Sequence, residues 1–87
     1  MRIDKYLKVA RILKRRTAAK ELALNQRVLI NDKVAKASSE IKINDIVEIS
    51  FGNRVLKFKV LSLAQQVKKA DAEMLYEVIE VRQESKE

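Results

Sequence analysis

MRIDKYLKVARILKRRTAAK, residues 1–20, is the stretch on which the reading of this chain turns. Ile3, Leu7, Ala10 and Leu13, with Tyr6 and Val9 beside them, return at three- and four-residue intervals, which predicts a helix with one buried face. Asp4 is placed to cap that helix, while Lys5, Lys8 and Arg11 advance along its more exposed side. Lys14-Arg15-Arg16 then forms a basic elbow in which neither arginine has an obvious core role. Thr17 is a second plausible cap, opening a short helix whose apolar stripe is Ala18, Ala19, Leu22 and Ala23, with Glu21 in its first turn.

The same 20 residues hold eight Lys or Arg against one acid, a local balance of +7 that equals the formal charge of the whole chain. Residues 21–70 hold nine bases and five acids, and residues 71–87 two bases and six acids, so the far end is negative. Cations gathered on one short segment point to a surface that meets phosphates, where even basicity would argue only for solubility.

Beyond residue 26 the period changes to two. Arg27–Ile30 and Lys33–Lys36 read as strands joined at Asn31-Asp32, and Asn44-Asp45 marks another turn. Apolar and polar residues then alternate from Ile46 to Phe51 and from Val55 to Val60 across Gly52-Asn53, the strongest hairpin signal in the chain. Residues 64–74 read as a polar helix, Leu75–Val81 as a last strand and 83–87 as a frayed tail. Two helices followed by short strands make an α+β domain, and 87 residues allow one core.

The composition also excludes. With no cysteine and no histidine there is no disulfide framework, no thiolate site, and neither the commonest general base nor the commonest metal ligand. No Gly-rich phosphate loop and no nucleophile with a base can be assembled, so the chain is expected to be non-enzymatic, with no cofactor and no metal. No apolar run approaches the roughly 20 residues of a membrane span, and a cytoplasmic protein is expected.

Arg2-Ile3-Asp4-Lys5-Tyr6-Leu7, the run Lys14-Arg15-Arg16-Thr17 followed by Ala19-Lys20-Glu21, then Val28-x-Ile30-Asn31 and Lys36-x-Ser38 together resemble the S4 RNA-binding domain. The resemblance covers about residues 1–50. The length, the added hairpin and the last strand are similar to the stand-alone S4 proteins of the heat-shock-protein-15 type, and among them to ribosome-associated quality-control factors. It implies an S4-type αL fold, with two N-terminal helices packed on a small, bent, mostly antiparallel sheet. The whole forms a single domain over residues 1–82, in which residues 51–82 add the hairpin and C-terminal strand. It also implies binding to the large ribosomal subunit, through 23S rRNA and tRNA, when a stalled nascent chain is still attached. There such a factor, a monomer when free, helps a partner protein add alanine to the stalled chain. The alternative within RNA biology is a general recycling or assembly factor of the large subunit. Where that family often carries glycine, this chain has Gln26, Asp32 and Asn44, of which Gln26 is the least comfortable in a left-handed conformation.

The residues expected to meet RNA are Arg2, Lys5, Lys8, Arg11, Lys14, Arg15, Arg16, Thr17, Lys20 and Lys36. Adjacent arginines suit bidentate phosphate contacts, with the lysines as point charges around them. A solvated helix end explains one or two of these bases, not eight against one acid. Asp4 is expected to orient a neighbouring arginine in addition to capping. Tyr6, Phe51 and Phe58 are assigned to the core, not to base stacking, because they fall on the apolar face of the helix and in alternating strands. A membrane-surface role fits less well: the first helix has no Trp or Phe, and its apolar stripe is needed by the sheet.

Overall fold

The computed structural model describes residues 1–64 and 67–83. Helix α1 spans Ile3–Val9 and α2 spans Arg16–Leu24. They are followed by β1 (Val28–Ile30), β2 (Lys33–Val34), β3 (Ile46–Phe51), β4 (Arg54–Val60), a 3-10 helix (Lys69–Leu75) and β5 (Tyr76–Gln83). The strands form one sheet in the order β2-β1-β3-β4-β5, antiparallel at every pairing. Chain neighbours pair throughout except β2 and β3; β1–β2 and β3–β4 are tight hairpins, while longer connections join β2 to β3 and β4 to β5.

Apolar periodicity suggested that α1 would run to Leu13, but it ends a turn earlier. Ala10 is its C-cap, and Arg11 follows at φ 59° in the left-handed region. Arg11 N donates to Lys8 O at 3.0 Å and Ile12 N to Leu7 O at 3.0 Å, the paired bonds of a Schellman stop. Helix α2 ends in the same way: Gln26, at φ 60°, donates to Ala23 O at 3.0 Å, and Arg27 N to Leu22 O at 2.9 Å. Both stops use a residue with a Cβ where glycine is usual, at a cost of about 1–2 kcal/mol each. The starts also differ from expectation. Arg2 and Arg15 occupy the N-cap positions, and no side chain caps either helix, so Asp4 and Thr17 lie inside the first turns. Glu21 lies beyond the first turn of α2.

Asn31 and Asp32 both have positive φ, 51° and 69°, as a two-residue type I′ hairpin turn requires. Asn31 then ties this turn to the next: its Oδ1 accepts from Ile46 N at 3.0 Å, and its Nδ2 donates to Asp45 Oδ1 at 3.1 Å. Asn44 has φ 79° and Gly52 has φ 61°, so Gln26, Asp32 and Asn44 each hold the left-handed backbone for which glycine is the default. Strands β1 and β2 are one and two residues shorter than the sequence pattern. In place of the polar helix over 64–74 stands the 3-10 turn of Lys69–Leu75, with residues 65–66 outside the described part. Strand β5 includes Gln83, paired with Arg54, and of the expected frayed tail residues 84–87 lie outside the described part.

The core lies between the helices and one face of the sheet. Ile3, Tyr6, Leu7 and Ala10 of the first helical segment and Ala19 and Ala23 of α2 meet Val28, Val47, Ile49, Phe58 and Val60. Full burial of side chains this size contributes about 1.5–3 kcal/mol each for the larger ones. Tyr6 stacks on Phe58 with centroids 6.2 Å apart, and Phe58 meets Tyr76 edge-on at 5.4 Å. The Tyr6 hydroxyl donates to Leu75 O at 2.5 Å, so α1 is tied through a buried hydrogen bond to the chain just before β5. Tyr6 and Phe58 are thus fully buried and Phe51 partly so, as their spacing indicated. Between Lys57 and Phe58 the pairing of β4 with β5 shifts by one residue, leaving Ile79 unpaired in the register. A bulge of this kind bends and twists a sheet. The extra residue is in β5; β4 stays in unbroken register with β3, so Val55, three residues from Phe58, is buried on the opposite face and outside the main core cluster.

Candidate nucleic-acid interface

The centre of the basic surface is an acid. Asp4 is completely buried, and three groups from different places in the chain converge on its carboxylate. Lys5 N donates to Oδ1 at 2.7 Å, Arg2 Nη2 donates to Oδ2 at 3.1 Å, and Arg16 Nε lies 3.1 Å from the same oxygen. The Arg16 contact is an ion pair without hydrogen-bond alignment, since the buried Nε finds no aligned acceptor. Burial pushes the Asp4 pKa up, but Arg16, the Lys5 N–H and then Arg2 outweigh it and hold the carboxyl below its ordinary value. The two arginine side chains remain 44% and 40% exposed. Each therefore has one edge fixed on the buried carboxylate and another open to solvent. A guanidinium held this way loses less freedom when it meets a phosphate.

This arrangement corrects two expectations. Asp4 orients two arginines, one at the start of each helix, and is not a helix cap. Arg16 has a structural role after all, because it neutralises a buried charge, whereas Arg15 at the N-cap of α2 is exposed and makes no ion pair among the described residues.

Six of the expected residues fall into two groups. Arg2, Lys20 and Lys36 come together around a groove of about 410 Å³ that is also lined by Ala23, Leu24 and Ala37. Lys36 reaches this place from the loop after β2, where its backbone N–H is fixed by Ser39 Oγ at 2.9 Å. On the elbow, Lys8, Arg11 and Lys14 line a smaller hollow of about 190 Å³ with Leu13. Arg11 reaches it because the left-handed stop turns the chain there. Lys5 is half-buried, and Thr17 is exposed in the first turn of α2. All ten residues thus belong to the two helices, their elbow and one adjoining loop. The hairpin is different: Lys57 faces Glu48 and Glu80 across the strands, and Lys59 faces Glu77, so its cations have acids in register.

Sequence reasoning missed Leu24. It is 82% exposed, and it sits at the end of α2 outside the Ala19, Leu22, Ala23 stripe. That break in the pattern was the available signal.

A model of the S4 domain matches residues 1–47, the two helices, the elbow, β1 and β2. The chain belongs to the S4 domain family. Among relatives of this S4 protein is the "RQC P-site tRNA stabilizing factor" of Streptococcus pneumoniae, 54% identical over 79 residues, covering 91% of this chain and 90% of that one. The protein of the same description from Bacillus subtilis is 43% identical over 79 residues, covering 91% and 92%. The fold has solved counterparts. Heat Shock Protein 15 of Vibrio cholerae superposes with a TM-score of 0.83 at 25% identity, covering 91% of this chain and 81% of that one. The hypothetical protein HP1423 gives 0.73 at 27% identity over the whole of both chains. Among the described residues no helix is long and apolar enough to cross a membrane.

Proposed function

We propose that this S4 protein is a non-enzymatic RNA-binding factor of ribosome-associated quality control. On this reading it docks on the large ribosomal subunit that retains a stalled nascent chain, contacts 23S rRNA and tRNA there, and supports addition of alanine by a partner protein. The observation that carries this reading is the pair Arg2 and Arg16, fixed from both helices on one buried carboxylate at the centre of a surface rich in exposed cations. Relatives of nearly equal length, named for stabilizing P-site tRNA, support it. The binding free energy comes mainly from phosphate neutralisation and the specificity from RNA shape, because the deep groove of A-form RNA hides base edges from side chains.

Co-sedimentation with large subunits tests the docking surface. Lys14→Ala with Arg15→Ala removes two exposed cations without touching Asp4 and should weaken binding by about a hundredfold or more, at roughly 1.5–3 kcal/mol for each charge-assisted contact. Lys57→Ala with Lys59→Ala removes the same formal charge from the hairpin and should cost much less. Equal losses would show that only net charge matters. Alanine tailing on stalled chains should disappear when the protein is deleted, and normal tailing would leave a general recycling or assembly role in its place.

A further inference from the structure

The groove between α2 and the loop after β2 combines two chemistries. Arg2, Lys20 and Lys36 supply three cations, and Ala23, Leu24 and Ala37 an apolar surface. A duplex backbone would use the cations and leave Leu24 against hydrated phosphates. A single exposed leucine is ordinary on a protein surface. One that is 82% exposed, contributes to no core contact and stands beside three cations is available to a ligand that is flat and apolar at one end and anionic at the other. The volume, about 410 Å³, lies near the lower end of the roughly 300–1,000 Å³ typical of small-molecule sites. It is large enough for one nucleotide.

We propose that this groove takes a single unstacked nucleotide from an unpaired RNA segment, with its base against Leu24, Ala23 and Ala37 and its flanking phosphates on Lys20 and Lys36. Arg2 completes the site. Its Nη2 is held by Asp4 at 3.1 Å while the side chain stays 44% exposed, so the guanidinium plane has a fixed orientation on which a base can stack. The four aromatic side chains, Tyr6, Phe51, Phe58 and Tyr76, are all packed on or in the core. The stacking platform here is therefore aliphatic and guanidinium, not aromatic. The proposal rests on the RNA-binding reading above and adds to it a requirement for an unpaired nucleotide.

Fluorescence anisotropy with two labelled RNAs of equal phosphate number, a hairpin with an unpaired uridine loop and a blunt duplex, tests it. The wild-type protein should prefer the looped RNA. Leu24→Ser should weaken binding to the looped RNA by about three- to tenfold without changing the salt slope, because no phosphate contact is lost, and should leave duplex binding unchanged. Lys20→Ala should weaken binding to both RNAs and reduce the slope by about one. Val34→Ser, at another exposed apolar position, should do neither. No effect of Leu24→Ser, or an equal loss on both RNAs, overturns the nucleotide site and leaves the RNA-binding reading standing. Failure of the wild type to bind either RNA overturns both. Binding to anionic phospholipid vesicles that Leu24→Ser abolishes would assign the groove to a membrane surface instead.

Discussion

Arg16→Ala and Arg15→Ala, adjacent changes of identical chemistry, should have different consequences for stability. Arg15 is exposed and unpaired among the described residues, so its loss should stay within about 0.5 kcal/mol, the usual range for surface substitutions. Arg16 Nε stands 3.1 Å from a carboxylate with no solvent exposure. Removing one partner of a buried pair costs about 3–5 kcal/mol when the remaining charge is left alone. Here the figure is lower, because Arg2 and the Lys5 N–H still serve Asp4 and because Arg16 is 40% exposed, with part of its charge already screened by water. About 1–3 kcal/mol remains, which in a domain of this size lowers Tm by roughly 4–24 °C. The pH dependence identifies the cause. Asp4 is held below its ordinary pKa in the fold, so its contribution to stability is present above the unfolded value of about 3.9 and is lost as pH falls through the folded one. In Arg16→Ala the folded pKa rises, so the stability gap between variant and wild type should be full near neutral pH and should narrow below about pH 4. Thermal melts by circular dichroism over that range measure both quantities, and Asp4→Asn combined with Arg16→Ala closes the double-mutant cycle. Equal melting temperatures for the two arginine variants, or a gap that does not change with pH, would refute the assignment of Asp4 as the charge that Arg16 neutralises.

Asp32→Gly should be neutral or stabilise by up to about 1 kcal/mol, because residue 32 sits at φ 69° and its side chain makes no hydrogen bond among the described residues; a fall in Tm would reveal a contribution of the carboxylate. Tyr6→Phe keeps the stack on Phe58 but removes the donor to Leu75 O, and chemical denaturation should show a loss of about 1–2 kcal/mol with the melting transition still cooperative. Burial raises the Tyr6 pKa, with Tyr76 adding to it, so wild-type stability should fall as pH climbs above the ordinary tyrosine value of about 10. Filter binding to structured RNA should fall steeply with salt, with a log-log slope near −4 to −7 if about five to eight cations displace counterions, and a flat response would exclude phosphate neutralisation as the source of affinity.

The residue order by itself determined the parts that depend on neighbours in the chain. Alternation across Gly52-Asn53 gave the β3–β4 hairpin, because side chains on a strand change face at every residue and only one register buries Val47, Ile49 and Phe58 together. Asn31-Asp32 gave a turn that is now seen with both residues at positive φ. The apolar stripe Ile3, Tyr6, Leu7 and Ala10 marked the buried face of the first helix, and the excess of cations marked the part of the surface that carries most of the positive charge.

Tertiary structure decided where the periodic patterns stop and which charges meet. Ile12 and Leu13 continue the apolar spacing of α1, yet Arg11 turns left-handed, because the chain must reverse to lay α2 beside α1 and the Leu7 carbonyl accepts from both Ile12 N and Leu13 N in doing so. The role of Asp4 was only partly legible locally: orienting the neighbouring Arg2 was expected, the second arginine was not. An acid in the first turn of a helix looks like a cap, and only the approach of Arg16 across the elbow shows it as a buried counter-charge. The same holds for the groove: Lys20 and Lys36 are sixteen positions apart in sequence and become neighbours of Arg2 only when the loop after β2 returns past α2. Spacing along a chain fixes faces and turns, but Coulombic and steric pairing acts through space, and its partners are chosen when the elements pack.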